Sequence, residues 1–401
     1  MSQISPKYKS LGQLCTRITD GTHKTPVYRD EGVIFISAKN VKDGRLDFTD
    51  RKYISQQEHD FLTKSSTPTA GDLLLTKSGS LGEAAAIPKL AFEFSIFESL
   101  ALLKPKSELV TTQYLHQYLC SPVAARYYQS ITTGLAVKHL HLGDLRKLKV
   151  FLPPLPKQEE IANLLSTWDL ATDKTKLLIS ARETLYALEL SRLIEQDTYP
   201  RGQVGNSTRG TDRTRKVVAL ADIATVWKGK QLNRDAMIES GAYYALNGGI
   251  NPSGRTTDWN CDADTITISE GGNSFGYVSL NREKFWCGGH CYAIKNLAKN
   301  VHAHFLFHYL KGRQTRLMAL RVGSGLPNIQ KSDIETFPVV LPDLGRQAAI
   351  AHYLNTQREE ISTLSVYVDR LKEQKRGLMQ KLLTGQWRVP MPSSEASEVR
   401  A

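Results

Sequence analysis

No apolar run in the chain approaches the roughly 20 residues that a membrane-crossing helix needs, and the opening Met1–Lys7 lacks the apolar core of a secretory leader. Both absences point to the cytoplasm. Cysteine is scarce: Cys15, Cys120, Cys261, Cys287 and Cys291 are odd in number and mostly scattered, which suits free thiols in a reducing compartment better than a disulfide frame. Signatures of chemistry are missing too. There is no Gly-x-x-x-x-Gly-Lys-Ser/Thr loop for nucleotide phosphates, no Gly-x-Gly-x-x-Gly after a strand, and no Asn/Asp-Pro-Pro-Tyr/Phe segment; Leu152-Pro-Pro-Leu155 shares only the prolines. The best metal candidate is Cys287-Gly-Gly-His-Cys291 with Cys261, His302 and His304. Its Cys-x3-Cys spacing is unusual for structural zinc and no second matching pair appears, so a tight turn carrying buried thiols is expected and no metal.

What is present is size and positive charge. The chain's 401 residues, 41% hydrophobic and 23% charged, are enough for two soluble domains with full cores. The net charge of +12 is unevenly spread. Residues 1–150 hold 20 Lys+Arg against 14 Asp+Glu (+6), 151–197 hold 5 against 8 (−3), 198–340 hold 18 against 11 (+7), and 341–401 hold 9 against 7 (+2). Two basic blocks, each followed by a less basic or acidic stretch, suggest a polyanion touched twice.

The chain also repeats itself. Between 133–165 and 322–354 ten positions match at a constant offset: Gly134/Gly323, Asp144/Asp333, Val150/Val339, Leu152/Leu341, Pro153/Pro342, Leu155/Leu344, Gln158/Gln347, Ile161/Ile350, Ala162/Ala351 and Leu165/Leu354. Ordinary composition would give roughly two. Weaker echoes lie upstream in the same order: Leu11-Gly-Gln-Leu-Cys with Leu220-Ala-Asp-Ile-Ala, Gly71-Asp-Leu-Leu-Leu-Thr with Ala263-Asp-Thr-Ile-Thr-Ile, and Tyr114-Leu-His-Gln-Tyr-Leu with Phe305-Leu-Phe-His-Tyr-Leu. The whole half is therefore duplicated.

Each Leu-Pro-Xaa-Leu junction opens a long helical pattern. In the second, Ile350, Leu354, Gln357, Ile361, Leu364, Val368, Leu371, Lys375, Leu378 and Leu382 alternate at spacings of four and three, the seam of a coiled coil, with Gly385 as a stop. The same register in the first gives Ile161, Leu165, Trp168, Thr172, Thr175, Ile179, Arg182, Tyr186, Glu189 and Leu193, a more polar seam, with Leu164, Leu178 and Leu185 broadening the apolar face. Helices this long outrun a domain, so each needs a partner, and the other copy is the obvious one. The bodies mix short strands (32–37, 71–76, 263–269, 285–287) with helices (111–130, 301–321), giving an α+β fold. The expected order is a body over 1–152, a helix over 153–197, a Gly/Ser/Thr/Arg-rich linker over 198–216, a body over 217–341, a helix over 342–388 and a disordered tail over 389–401.

Both bodies carry polar, Gly-rich loops with side chains suited to base edges and phosphates. The first offers Thr22, His23, Lys24, Lys39, Asn40, Lys77, Ser78, Ser80, Lys138 and His139; the second offers Asn247, Asn251, Arg255, Glu270, Asn273, Ser274, Arg321 and Asn328.

Body, Leu-Pro-Xaa-Leu-x-x-Gln-x-x-Ile-Ala junction and long helix, repeated once over essentially 1–388, resembles the specificity subunit of type I restriction-modification systems. Leu152–Ala162 and Leu341–Ala351 carry the resemblance, with 71–82 in support. It implies two target recognition domains, each reading half of a split, asymmetric site on double-stranded DNA, and two helices packed antiparallel as a ruler near one turn of B-DNA, about 34–36 Å. It further implies two methyltransferase subunits docked on the helices, with Pro153, Gln158, Ile161, Pro342, Gln347 and Ile350 as candidate contacts, and translocase/endonuclease subunits that join for cleavage. S-adenosylmethionine, ATP and Mg would then belong to those partners, and this chain would bind no cofactor and catalyse nothing. The residues leave open a modification-only system, a coiled-coil adaptor that binds protein alone, and a nuclease with an unrecognised site.

Overall fold

The computed structural model describes residues 8–64, 67–132, 139–196, 216–321 and 328–387. Lys138, the expected linker apart from residue 216, and the expected tail lie outside the described residues. The chain forms two compact units, 1–175 with 367–401, and 176–366.

In the first unit a four-stranded antiparallel sheet runs in the order Cys15–Asp20, Leu100–Pro105, Leu73–Thr76, Ala84–Ala86. Its central strands read as continuous apolar runs because both faces are covered. Leu73, Leu75, Ala101 and Leu103 face one core with Tyr114, Leu115 and Tyr118 of the Thr112–Leu119 helix. Leu74, Leu100 and Leu102 face a second core with Ile36, Phe94 and Ile96. Those last residues belong to a three-stranded sheet in which Val33–Ile36 pairs antiparallel with Lys52–Ile54 and parallel with Phe94–Ile96. Tyr8–Ser10 pairs with Lys149–Phe151 and ties the start of the unit to the junction.

The second unit repeats this order. Its four-stranded sheet runs Thr225–Lys228, Cys291–Lys295, Thr265–Ser269, Val278–Asn281, and its three-stranded sheet Gly254–Thr256, Tyr243–Leu246, Phe285–Cys287, again with one parallel pair. Here the sheet alternates: Ile266 and Ile268 enter the large core, while Thr267 faces the other way and accepts from the Asn281 amide at 3.0 Å.

Hydrogen bonds fix the equivalence of the two copies. The amide of Thr76 donates to Glu83 O (2.9 Å) as Ser269 donates to Tyr277 O (3.0 Å), and Lys77 donates to Ser99 O (2.8 Å) as Glu270 donates to His290 O (3.0 Å). Thr76 thus matches Ser269 and Lys77 matches Glu270. The pairing of Gly71-Asp with Ala263-Asp drawn from sequence is one residue out, because matching the aspartates shifts strands whose register the backbone sets.

The long helices run Leu155–Gln196 and Leu344–Leu382, 42 and 39 residues, and each is divided between the units. Within the first unit Ile161, Ala162 and Leu165 share a core with Met379, Leu382 and Leu383. Within the second, Leu190 and Ile194 share a core with Ile350, Ala351 and Leu354. Inside each unit the helices are therefore antiparallel. Every seam position assigned from sequence, in both helices, is buried or half-buried. The polar seam residues of the first helix find partners: Asp169 accepts from Lys375 Nζ (2.6 Å), Trp168 Nε1 donates to Gln374 (3.4 Å), and Arg182 pairs with Glu360 (2.9 Å). Leu178 and Leu185 do not broaden the packed face; both are exposed, as are Leu170, Leu177 and Leu188.

Candidate nucleic-acid interface

In the first unit the loops that follow Cys15–Asp20 and Leu73–Thr76 meet at one end of the sheet. Gly21 lies against the carbonyls of Ile96 and Phe97, an approach that only a residue without Cβ can make. Thr22 closes the turn by accepting from and donating to Lys24 backbone (3.2 and 3.1 Å). His23 is exposed between Asp20 (3.4 Å) and Glu98 (2.8 Å). Lys77 is buried and pairs with Asp20, while Ser78 bridges to His139. Burial and the Lys77 ammonium hold the His139 imidazole below its ordinary pKa. Thr22, His23, Lys24, Lys77, Ser78 and His139 are thus brought to one place, with Ser80 exposed at the tip of the second loop.

The second unit builds the same corner from other residues. Gly229 lies against the carbonyls of Cys287 and Gly288. Glu270 is buried, accepts from Lys228 Nζ (2.6 Å) and the Tyr292 hydroxyl (2.9 Å), and faces His290 at 3.6 Å. Gly271 bridges to Asn328, as Ser78 does to His139. Ser269 Oγ reaches Gly248 O, which brings Asn247 alongside. Asn251 and Asn273 are exposed, Ser274 is half-buried, and the exposed Arg321 lies over the Phe275 ring at 6.0 Å.

Several sequence-assigned contacts are corrected by this geometry. Asn40 is buried; its amide accepts from Ser37 N and donates to Asp47 O and Asp50 O, so it ties a turn together. Lys39, beside it, is paired with Asp50 at 2.7 Å but keeps 44% of its side chain exposed, so its assignment is not among those corrected. Lys77 and Glu270 are each enclosed in an ion pair and cannot reach a base themselves. Arg255 is exposed and donates along its Nε/Nη2 edge to Gly241 O (2.6 Å) and Ala242 O (2.8 Å), which holds the guanidinium against its own turn and is no correction of its assignment. The junction residues are core. Gln158 accepts from Thr111 N (2.9 Å) and donates to Leu109 O (3.0 Å) and Pro153 O (2.9 Å). Gln347 does the same with His302 N, Asn300 O and Pro342 O. Ile161, Ile350 and Pro342 are buried and Pro153 half-buried, so none of the six forms an open docking face.

Asp20, Glu98, Lys228 and His290 were missed by the sequence reading. The available signal was a glycine directly after the first sheet strand, Asp20-Gly21 and Lys228-Gly229, at equivalent places in both copies. The thiols of Cys261, Cys287 and Cys291 are buried behind this corner with Leu246, Phe285 and Ala293, and hydrogen bonding to Cys261 and Cys291 pushes the Cys287 thiol far up. Among the described residues no group of three or more His, Cys, Asp or Glu is placed to hold a metal ion, and no helix is long and apolar enough to cross a membrane.

Two bodies of one topology, with unlike loops at the same corner, match a known pattern. The model of the type I restriction modification DNA specificity domain fits residues 6–181 and again 213–365. The chain belongs to that family. A putative type I specificity subunit of Mycoplasma pneumoniae is 28% identical over 187 residues, 46% of this chain and 48% of that one. The match thus spans about half the length of that relative. The putative type I restriction enzyme MjaX specificity subunit of Methanocaldococcus jannaschii is 23% identical across 88% of this chain and 86% of its own. The crystal structure of a type I restriction-modification S subunit from M. genitalium shares the fold of this specificity-domain chain, with a TM-score of 0.59 at 17% identity over 96% of this chain and 97% of that one.

Proposed function

We propose that this chain is the DNA sequence-specificity subunit of a type I restriction-modification complex, with no catalytic group of its own. Each body would read one half of a bipartite, asymmetric site in the cytoplasm, and the helices would set the unread spacer. The observation that carries this reading is the equivalent loop corner in the two units. The corner repeats its main backbone bonds in both units, while its side chains differ at most equivalent positions. Two readers of different sequences need such a contrast, because base edges are read by side chains.

The uncovered leucines of the first helix supply the partner face that the junction residues do not. Leu177, Leu178, Leu185 and Leu188 are exposed within about 100° of one helix face, where a methyltransferase subunit would dock. S-adenosylmethionine, ATP and magnesium would be held by the methyltransferase and translocase/endonuclease subunits.

The test is binding to random and genomic duplex DNA, with and without the methyltransferase, across a salt series. Phosphate contacts make affinity fall steeply with salt, and a specific site should survive as the residue. Absence of DNA binding even with the methyltransferase present would refute the reading in favour of a protein-only adaptor.

A further inference from the structure

The two corners hold one ion pair with its polarity reversed. Asp20 and Lys228 both end the first sheet strand, each opposite the matching residue of the central strand, Ala101 and Tyr292. Lys77 and Glu270 both follow the third strand, and each carbonyl accepts from the residue after the bridge, Leu140 N and Ile329 N, at 2.9 Å. So the pair is Asp20 with Lys77 in one body and Lys228 with Glu270 in the other. In both, the second member is sealed off, its side chain 3% and 6% exposed, and the first is the more exposed, at 15% and 52%.

The neighbours extend the reversal. Around Asp20 the outward groups are His23 and the partly exposed Glu98; the position equivalent to Glu98 is Gly289 in the other body. Around Lys228 they are the exposed Lys230 and His290. A carboxylate facing DNA is repelled by phosphate, so it is tolerated where it accepts from a base, and cytosine N4 is the donor that carboxylates take in the major groove. A lysine at the same place takes guanine O6 and N7.

Resting on the DNA-reading function above, we propose that this ion pair is a specificity determinant whose polarity selects the base. Asp20 with Glu98 directs the first body to a cytosine, and Lys228 directs the second to a guanine. Lys77 and Glu270 are positioning residues that hold the outward member in place.

The experiment swaps the charges. Full-length chain carrying Asp20→Lys with Lys77→Glu is co-expressed with its methyltransferase in cells without other adenine methylation, and the methylated motif is sequenced. The second body demonstrates that the corner closes with reversed polarity, so the swapped protein should melt within a few degrees of the original. One cytosine of the first half-site should become guanine, with the second half-site unchanged. A folded swap that keeps the original motif would overturn the proposal. Should the swap fail to fold, Lys228→Gln decides: discrimination at one guanine of the second half-site should fall about tenfold, and unchanged discrimination would overturn it. A wild-type pair that methylates no defined motif would instead sink the DNA-reading function, and this inference with it.

Discussion

Replacing Gln158 with leucine should unfold the first unit selectively. Leucine fills most of the same volume, so little cavity forms, but it neither donates nor accepts. Three backbone groups lose their one partner among the described residues: Thr111 N–H, Leu109 C=O and Pro153 C=O. The side chain they meet is fully buried, so water cannot replace it. Each stranded group costs about 1–3 kcal/mol, which sets the loss at no less than about 3 kcal/mol. That is a large share of the roughly 5–15 kcal/mol by which domains are stable. The assay is chemical unfolding of the whole chain with amide exchange read segment by segment, because a two-unit protein need not unfold in one step. Exchange should accelerate through 109–119 and the adjoining sheet and leave 265–295 protected. The equivalent Gln347→Leu should do the reverse. A loss under about 1 kcal/mol with unchanged exchange would refute the clamp and return Gln158 to the list of partner contacts.

Other outcomes follow from the same geometry. His308 is buried against the Tyr186 hydroxyl (3.0 Å) and the Asn355 amide (3.0 Å), and burial lowers its pKa from 6.5 to about 3. The unfolded chain takes up a proton that the folded one refuses, so stability of the second unit should fall as pH drops from 6.5 toward 3, by up to about 1.4 kcal/mol per pH unit. Melting curves across that range check this, and His308→Gln should flatten the dependence. Gly229→Ala would drive a Cβ into the carbonyls of Cys287 and Gly288, costing about 1–3 kcal/mol and displacing Lys228; melting and DNA affinity should fall together. Leu177→Glu with Leu188→Glu should leave stability within about 0.5 kcal/mol and abolish co-purification with the methyltransferase.

The seam was legible in sequence because helix periodicity depends only on spacing. Even the polar positions Thr172, Arg182 and Lys375 fell where the pattern placed them. The duplication was legible at the junctions, where a buried glutamine that satisfies three backbone groups tolerates no substitute of another chemistry. That same burial explains the misreading of Gln158 and Gln347: a polar residue recurring in two copies looks like a contact surface until the carbonyls it serves are seen. Lys77, Glu270 and Asn40 failed for a related reason, since their partners Asp20, Lys228 and the carbonyls of Asp47 and Asp50 come from other segments. The one-residue slip at 71–76 arose because Leu-Leu-Leu and Thr-Ile-Thr-Ile share no phase, one strand being covered on both faces and the other alternating.

The division of the long helices has a consequence for synthesis. The first unit's core includes Met379, Leu382 and Leu383, and Gly385, in the left-handed region at φ 73°, packs on the Phe151 ring. At about 5–20 residues per second, the ribosome delivers those residues about 10–60 seconds after the strands they cover. Until then the core around Ile161 and Leu165 is incomplete. The second unit ends at Val366, and the last residue of its large core is Leu354. The body encoded later can therefore close first, and the one encoded first waits, open to chaperones and proteases, for residues 379–385.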